Sequence, residues 1–204
     1  MIIAIVGAGG KTTLLKQKAQ EYKAQGKKVF VTTSTHMFIE PDALLSDDAD
    51  EIIQKLDSNG YVMAGLKDGI KLSPLSLETF QKVSPHADVT LVEADGSRHM
   101  PIKFPNATEP VIDKNTTEII VVCGMHALGK PAHEVCHRLE LVKQCLGISD
   151  DTLITPEHIL KLVMEGYVLP LKKAYPNAVI TVYPAHDSSV FQKTAAQWIL
   201  ESLH

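Results

Sequence analysis

Ile2-Ile3-Ala4-Ile5-Val6-Gly7-Ala8-Gly9-Gly10-Lys11-Thr12-Thr13 decides the fold. Ile2 to Val6 is a continuous apolar run, as expected of a strand buried on both faces. The glycine-rich turn Gly7 to Gly10 follows. Lys11 to Ala24 is rich in Leu, Lys, Gln, Ala and Glu, which favour helix, and Gly26 supplies a stop. Val29-Phe30-Val31 then predicts a second strand inside Lys28 to Thr33. Strand, helix and strand at this spacing make a βαβ unit with parallel strands.

The turn sits where phosphate binding needs it, between a buried strand and a helix N-terminus. Backbone N–H groups converge there on an anion, and the helix end adds partial positive charge. The expected anion contacts are Gly7, Ala8, Gly9, Gly10, Lys11, Thr12 and Thr13. Lys11 is placed on the β and γ oxygens, and the Thr12 hydroxyl on Mg²⁺. The usual spacing, G-x-x-x-x-G-K-[ST], is not met, because Ile5 stands where its first glycine would be. The shorter G-x-x-G-K-T-T resembles the phosphate loop of the Mur ligases and folylpolyglutamate synthetases. At 204 residues a Mur-type ligase activity is not expected.

Val89-Thr90-Leu91-Val92-Glu93-Ala94-Asp95-Gly96-Ser97-Arg98 is a second informative stretch. It reads as an apolar strand ending in two carboxylates. Such acids complete an Mg²⁺ shell or orient a nucleophile beside a phosphate loop. Glu93 and Asp95 are therefore expected to act with Thr12 on the metal. Asp-Gly-Ser is also ordinary turn chemistry. Arg98 and Lys103 follow in an irregular, proline-bearing segment, 98–117, expected to be a functional loop. There they would neutralise phosphate charge, or simply face solvent.

Further strands are expected at Tyr61 to Ala64, Thr117 to Cys123 and Ala178 to Tyr183. Helices are expected at 75–84, from Pro156 to about Glu165, and from Val190 to Leu203. Thr155 caps the second of these and Gly166 ends it. The alternation predicts an α/β, three-layer sandwich with a mostly parallel sheet, P-loop NTPase-like, in a single domain over 1–204.

Composition narrows the function. A formal charge of −4 makes a poor general attractor of nucleic acid or anionic membrane. No run of about 20 apolar residues is present, so no bilayer-spanning segment is expected. The start lacks the basic region of a signal peptide. Cys123, Cys136 and Cys145 are too few for a disulfide scaffold, which points to a reducing compartment.

The residues that carry a family resemblance are Val6-Gly7-Ala8-Gly9-Gly10-Lys11-Thr12-Thr13, Val31 to His36, Glu93 to Arg98, Pro101, Lys103 and Glu109-Pro110-Val111-Ile112. This set resembles the YqeC family, whose members are called selenium-dependent hydroxylase accessory proteins. The likeness runs from the phosphate loop to His137-Arg138. The resemblance implies a small cytoplasmic phosphate-loop protein that helps mature a selenium-dependent molybdenum hydroxylase. It implies His137-Arg138 as an anion contact. Tyr183 to Asp187 lacks an Asn-x-x-Asp base-reading element, so guanine specificity finds no support there, and the expected cofactor is Mg²⁺ with ATP or GTP. Three readings stay open: an NTPase or phosphoryl or nucleotidyl transferase, a nucleotide-gated chaperone, and a molybdopterin-type cofactor-binding module without turnover.

Other candidates compete with bland roles. Thr32 to His36 ends the second strand on the ligand-binding edge, where hydroxyls and an imidazole would reach Mg²⁺, water or phosphate, or merely cap the next element. Cys123, His126, His133, Cys136 and His137 are zinc-type ligands, but not at a known ligand spacing. Cys136 invites a redox or selenium-accepting role. Trp198, among Ala195, Ala196 and Ile199, is expected in the core.

Overall fold

The computed structural model of the protein describes residues 1–203. In chain order its elements are β1 (Ile2–Gly7), α1 (Lys11–Ala24), β2 (Val29–Thr33), β3 (Met37–Phe38), β4 (Leu44–Leu45), α2 (Ala49–Asn59), β5 (Tyr61–Asp68), β6 (Lys71–Ser73), α3 (Leu77–Val83) and β7 (Val89–Glu93). There follow β8 (Ile102–Lys103), β9 (Glu118–Gly124), α4 (Ala132–Val135), β10 (Cys136–His137), α5 (Leu139–Leu146), α6 (Pro156–Val163), α7 (Leu169–Ala174), β11 (Val179–Ala185) and α8 (Val190–Glu201). The protein is α/β, with a mixed and mostly parallel sheet.

The described residues form two compact units. One holds Met1–Ile5, Thr12–Gly96 and Val111–Glu118; the other holds Val6–Lys11, Ser97–Pro110 and the chain from Ile119 onward. In the first unit the strand order is β1-β7-β2-β5-β6-β3, with β4 paired to β5. β7 lies between β1 and β2 and is parallel to both. The expected βαβ unit is thus present with one strand inserted. The run β5-β6-β3 is antiparallel, because β5 and β6 are joined by a short turn rather than a helix. Phe30, Ile52, Leu56, Val62, Ala64 and Val83 make a fully buried core there.

α2 is a helix that the sequence reading passes over. Its signals are local: Asp48 accepts from the N–H groups of Asp50 and Glu51, and Gly60 closes it with a left-handed φ of 65°.

In the second unit the order is β11-β9-β1, with β1 represented by Val6 and Gly7. A separate two-stranded sheet pairs β8 with β10. β8 is the only regular element in the expected irregular segment 98–117. Thr155 caps α6 as expected, with a reciprocal bond from its N–H to His158.

Two expectations are corrected. Gly166 does not end α6: the helix passes into a π-helical turn, Met164–Val168, and on into α7. A Cβ at Gly166 would press on Pro105 and Phe104, so this glycine serves close packing. Trp198 is 38% exposed; α8 buries Ala195, Ala196 and Ile199 instead, and the indole sits on the flank of that face.

Candidate functional site

Within the first unit, parallel pairing sets Ile5 opposite Glu93, and Glu93 opposite Thr33. The segments that follow β1 and β7 therefore leave the sheet at the same edge, the carboxyl edge where open α/β sheets bind ligands. Thr12, in the first turn of α1, donates its hydroxyl to the Glu93 carboxylate at 2.8 Å. Glu93 is only 6% exposed. A buried carboxylate must be met by donors. Asp95 is fully buried two residues beyond, outside β7. The first turn of α1 holds no acidic residue of its own, so the carboxylate at this positive helix end is supplied from β7.

Within the second unit lies the rest of the glycine loop. Gly7 and Gly9 have φ of 93° and 77°. A Cβ on Gly7 would strike the carbonyl of Val122, and one on Gly9 the backbone of Pro101 and Gly124. Both positions require glycine on conformation and on space. The Ala8 N–H donates to Val122 at 2.9 Å, which ties the loop to β9. Lys11 is buried and folds back over the loop, donating to the Gly7 carbonyl at 2.8 Å and the Ser97 hydroxyl at 3.2 Å. Ser97 is a contact that the sequence reading did not assign, although it lies inside the quoted Glu93 to Arg98 stretch.

His126, a zinc-type candidate in the sequence, and His186 also belong to this unit, and their pairing is not legible in the sequence. Their rings meet edge to face with centroids 4.7 Å apart. A Cβ on Gly10 would lie 3.5 Å from His186 Nε2, so the pair borders the glycine loop. Burial, then the neighbouring His186 and Lys130, lowers the pKa of His126 and keeps its ring neutral. The two histidines are far apart in sequence, and no local pattern links them.

The expected cationic loop is organised around a carboxylate. Lys103, with a fully buried side chain, meets Glu109 at 3.1 Å, and Arg138 meets the same oxygen at 2.8 Å. Burial pushes Glu109 up, but the hydrogen bonds and charges of Arg138 and Lys103 outweigh it and hold the carboxyl below its ordinary range. His137 is driven down by burial and by Arg138, Lys103 and Arg98. Arg98 itself is exposed, at a left-handed φ of 48°. Lys103 and Arg138 are thus gathered about one acid, with His137 and Arg98 in the same electrostatic neighbourhood, and Lys103 shares a small cavity lining with Gly7 and Ala8.

The remaining candidates separate. Thr32 and Thr33 donate their hydroxyls to main-chain carbonyls, of Ala64 and Glu93. His36 is exposed and pairs with Asp68 at 3.2 Å. Among the described residues no group of three or more His, Cys, Asp or Glu is placed to hold a metal ion. Cys136 is buried, and burial pushes its thiol up to about 12. A thiol so shifted is not a nucleophile at neutral pH.

Fold and loop together define the class: an α/β protein whose glycine turn joins a buried strand to a helix start, next to a strand that ends in a buried acid. Comparison with known proteins makes the assignment finer. The chain belongs to the YqeC family, whose profile, described as YqeC protein, matches residues 3–140. It is 33% identical over 178 residues to an uncharacterized protein YqeC of Escherichia coli strain K12, across 79% of this chain and 67% of that relative. No solved structure matches. No helix among the described residues is long and apolar enough to cross a membrane.

Proposed function

We propose that this protein binds an Mg²⁺-nucleotide, ATP or GTP, at Gly7 to Thr13, and that it uses it in phosphoryl or nucleotidyl transfer or in NTP hydrolysis. A three-layer, P-loop NTPase-like organisation is part of this proposal. The observation that carries it is the 2.8 Å contact between Thr12 and the buried Glu93 carboxylate. A hydroxyl and a carboxylate side by side suit Mg²⁺, which keeps several waters and takes few protein ligands. Thr12 and Glu93 would hold the ion, with Asp95 nearby in sequence. The ion would supply charge neutralisation at the phosphates.

The chain's own groups account for the rest. The loop's N–H groups and the start of α1 receive the phosphate oxygens. Lys11 exchanges its bond to the Gly7 carbonyl for the phosphate oxygens. Glu93 or Asp95 accepts a proton from, or orients, the attacking nucleophile. Arg98 meets charge as it develops. The role follows from the family resemblance: maturation of a selenium-dependent molybdenum hydroxylase, in a cytoplasmic setting, with the hydroxylase or its cofactor as partner.

Calorimetric titration of ATP and GTP, with and without Mg²⁺, tests the reading. Wild type binds one of them at micromolar Kd with Mg²⁺. Lys11→Ala loses at least tenfold, and Glu93→Gln loses the Mg²⁺ dependence. Absence of binding by folded wild type overturns the proposal.

A further inference from the structure

The first unit holds a cavity of about 440 Å³ that the nucleotide reading does not use. Its size is that of a small-molecule site. Its origin is in the strand sequences. Ala4 pairs with Val92, and Val92 pairs with Thr32, so these three side chains form one row across β1, β7 and β2. Ala4 is the smallest side chain in the Ile2 to Val6 run, and the row is correspondingly hollow. Leu77 and Phe80 of α3 also line the cavity. With apolar side chains of the sheet and the aromatic ring of Phe80 among its walls, this slot favours a flat occupant.

The edge of the slot is polar. Thr116 brings a hydroxyl and Gln81 an amide, while the Thr33 and Ser34 hydroxyls are spent on the Glu93 and Val111 carbonyls. The Thr116 hydroxyl is buried and has no hydrogen-bond partner among the described residues. A buried hydroxyl in that state is costly unless a ligand or water meets it. Asp113 and Lys114 both line the cavity, and their charges offset one another. The site therefore suits an uncharged ring with donors and acceptors on its rim.

We propose that this cavity binds a neutral bicyclic heteroaromatic compound, stacked between the Ala4–Val92 floor and Leu77 and Phe80, with its polar edge toward Thr116 and Gln81. No residue of Gly7 to Thr13 lines the cavity, and either reading can fail without the other.

Saturation-transfer NMR with quinazolin-4-one, and with naphthalene as its apolar counterpart, tests this. Quinazolin-4-one is expected to bind at submillimolar Kd, and naphthalene at least fivefold more weakly. Leu77 is 64% exposed, so Leu77→Trp keeps the fold while filling the slot, and weakens binding at least tenfold. Gln81→Trp, at another exposed position, does the same. Thr116→Val, nearly isosteric, weakens it about fivefold, the worth of one hydrogen bond. Lys11→Ala leaves it unchanged. Absence of quinazolin-4-one binding, equal binding of naphthalene, or indifference to both tryptophan variants overturns the proposal. Loss in Lys11→Ala with retention in Leu77→Trp also overturns it, since the ring would then bind at the loop.

Discussion

At the scale of single residues, the glycine loop is over-determined. Gly9 has a left-handed φ and faces the backbone of Pro101 and Gly124, so a methyl group has no side chain to push aside. Gly9→Ala is expected to cost about 3 kcal/mol, combining backbone strain with overpacking. Urea denaturation measures it, and an unchanged midpoint would refute the steric account. Thr12 separates its two atoms cleanly. Thr12→Ser keeps the hydroxyl that Glu93 accepts, while Thr12→Val removes it. Under the proposed function the serine variant retains Mg²⁺-dependent nucleotide binding and the valine variant loses roughly tenfold, the worth of one charge-assisted hydrogen bond. Equal behaviour of the two would remove Thr12 from the metal site. The motif was legible from Gly7 to Thr13 because turn chemistry is local. Ser97 as a partner of Lys11 was not, because 86 residues separate them.

At the scale of elements, the two-stranded sheet of β8 and β10 is pinned by charge. Lys103 ends β8, Arg138 directly follows β10, and the two share Glu109. The folded state holds Glu109 below its ordinary pKa, so its unfolded form binds a proton more readily. Its contribution to stability is present above the ordinary glutamate value of 4.5 and is lost as pH falls through the lower folded value. Glu109→Ala removes the acid from a buried ammonium and is expected to cost about 3 kcal/mol at pH 7. The gap from wild type narrows as pH falls below 4.5, which thermal melts across pH would show; a constant gap would contradict the assignment. The cap of α6 is a simpler case. Thr155 accepts from His158 N–H at the helix start. Thr155→Ala should lower stability by about 1 kcal/mol. That cap was legible in Thr155-Pro156, whereas the π-helical turn after Val163 was not. Gly166 resembles a helix stop in sequence, and only packing against Phe104 and Pro105 shows its other use.

At the scale of the whole molecule, burial decides chemistry that residue type leaves open. Cys123 and Cys136 are buried, and both thiols are pushed up to about 12; Cys145, part-exposed, is raised to about 11 by burial and Glu165. Native protein at pH 8 is expected to alkylate slowly, with Cys145 first, and to take up three equivalents after unfolding. Fast labelling of native Cys136 would revive its redox role. The sequence by itself determined the strand–turn–helix start, the alternation of strands and helices, the glycine loop and the acid at the end of β7. All of these follow from periodicity and turn chemistry between near neighbours. Tertiary structure alone decided that β7 inserts between β1 and β2, that Thr12 meets Glu93, that Lys103 is held by Glu109, that His126 meets His186, and that Ala4, Val92 and α3 enclose a cavity. Each of these depends on register or packing between residues distant in the chain, set by free-energy differences that no short window of sequence contains.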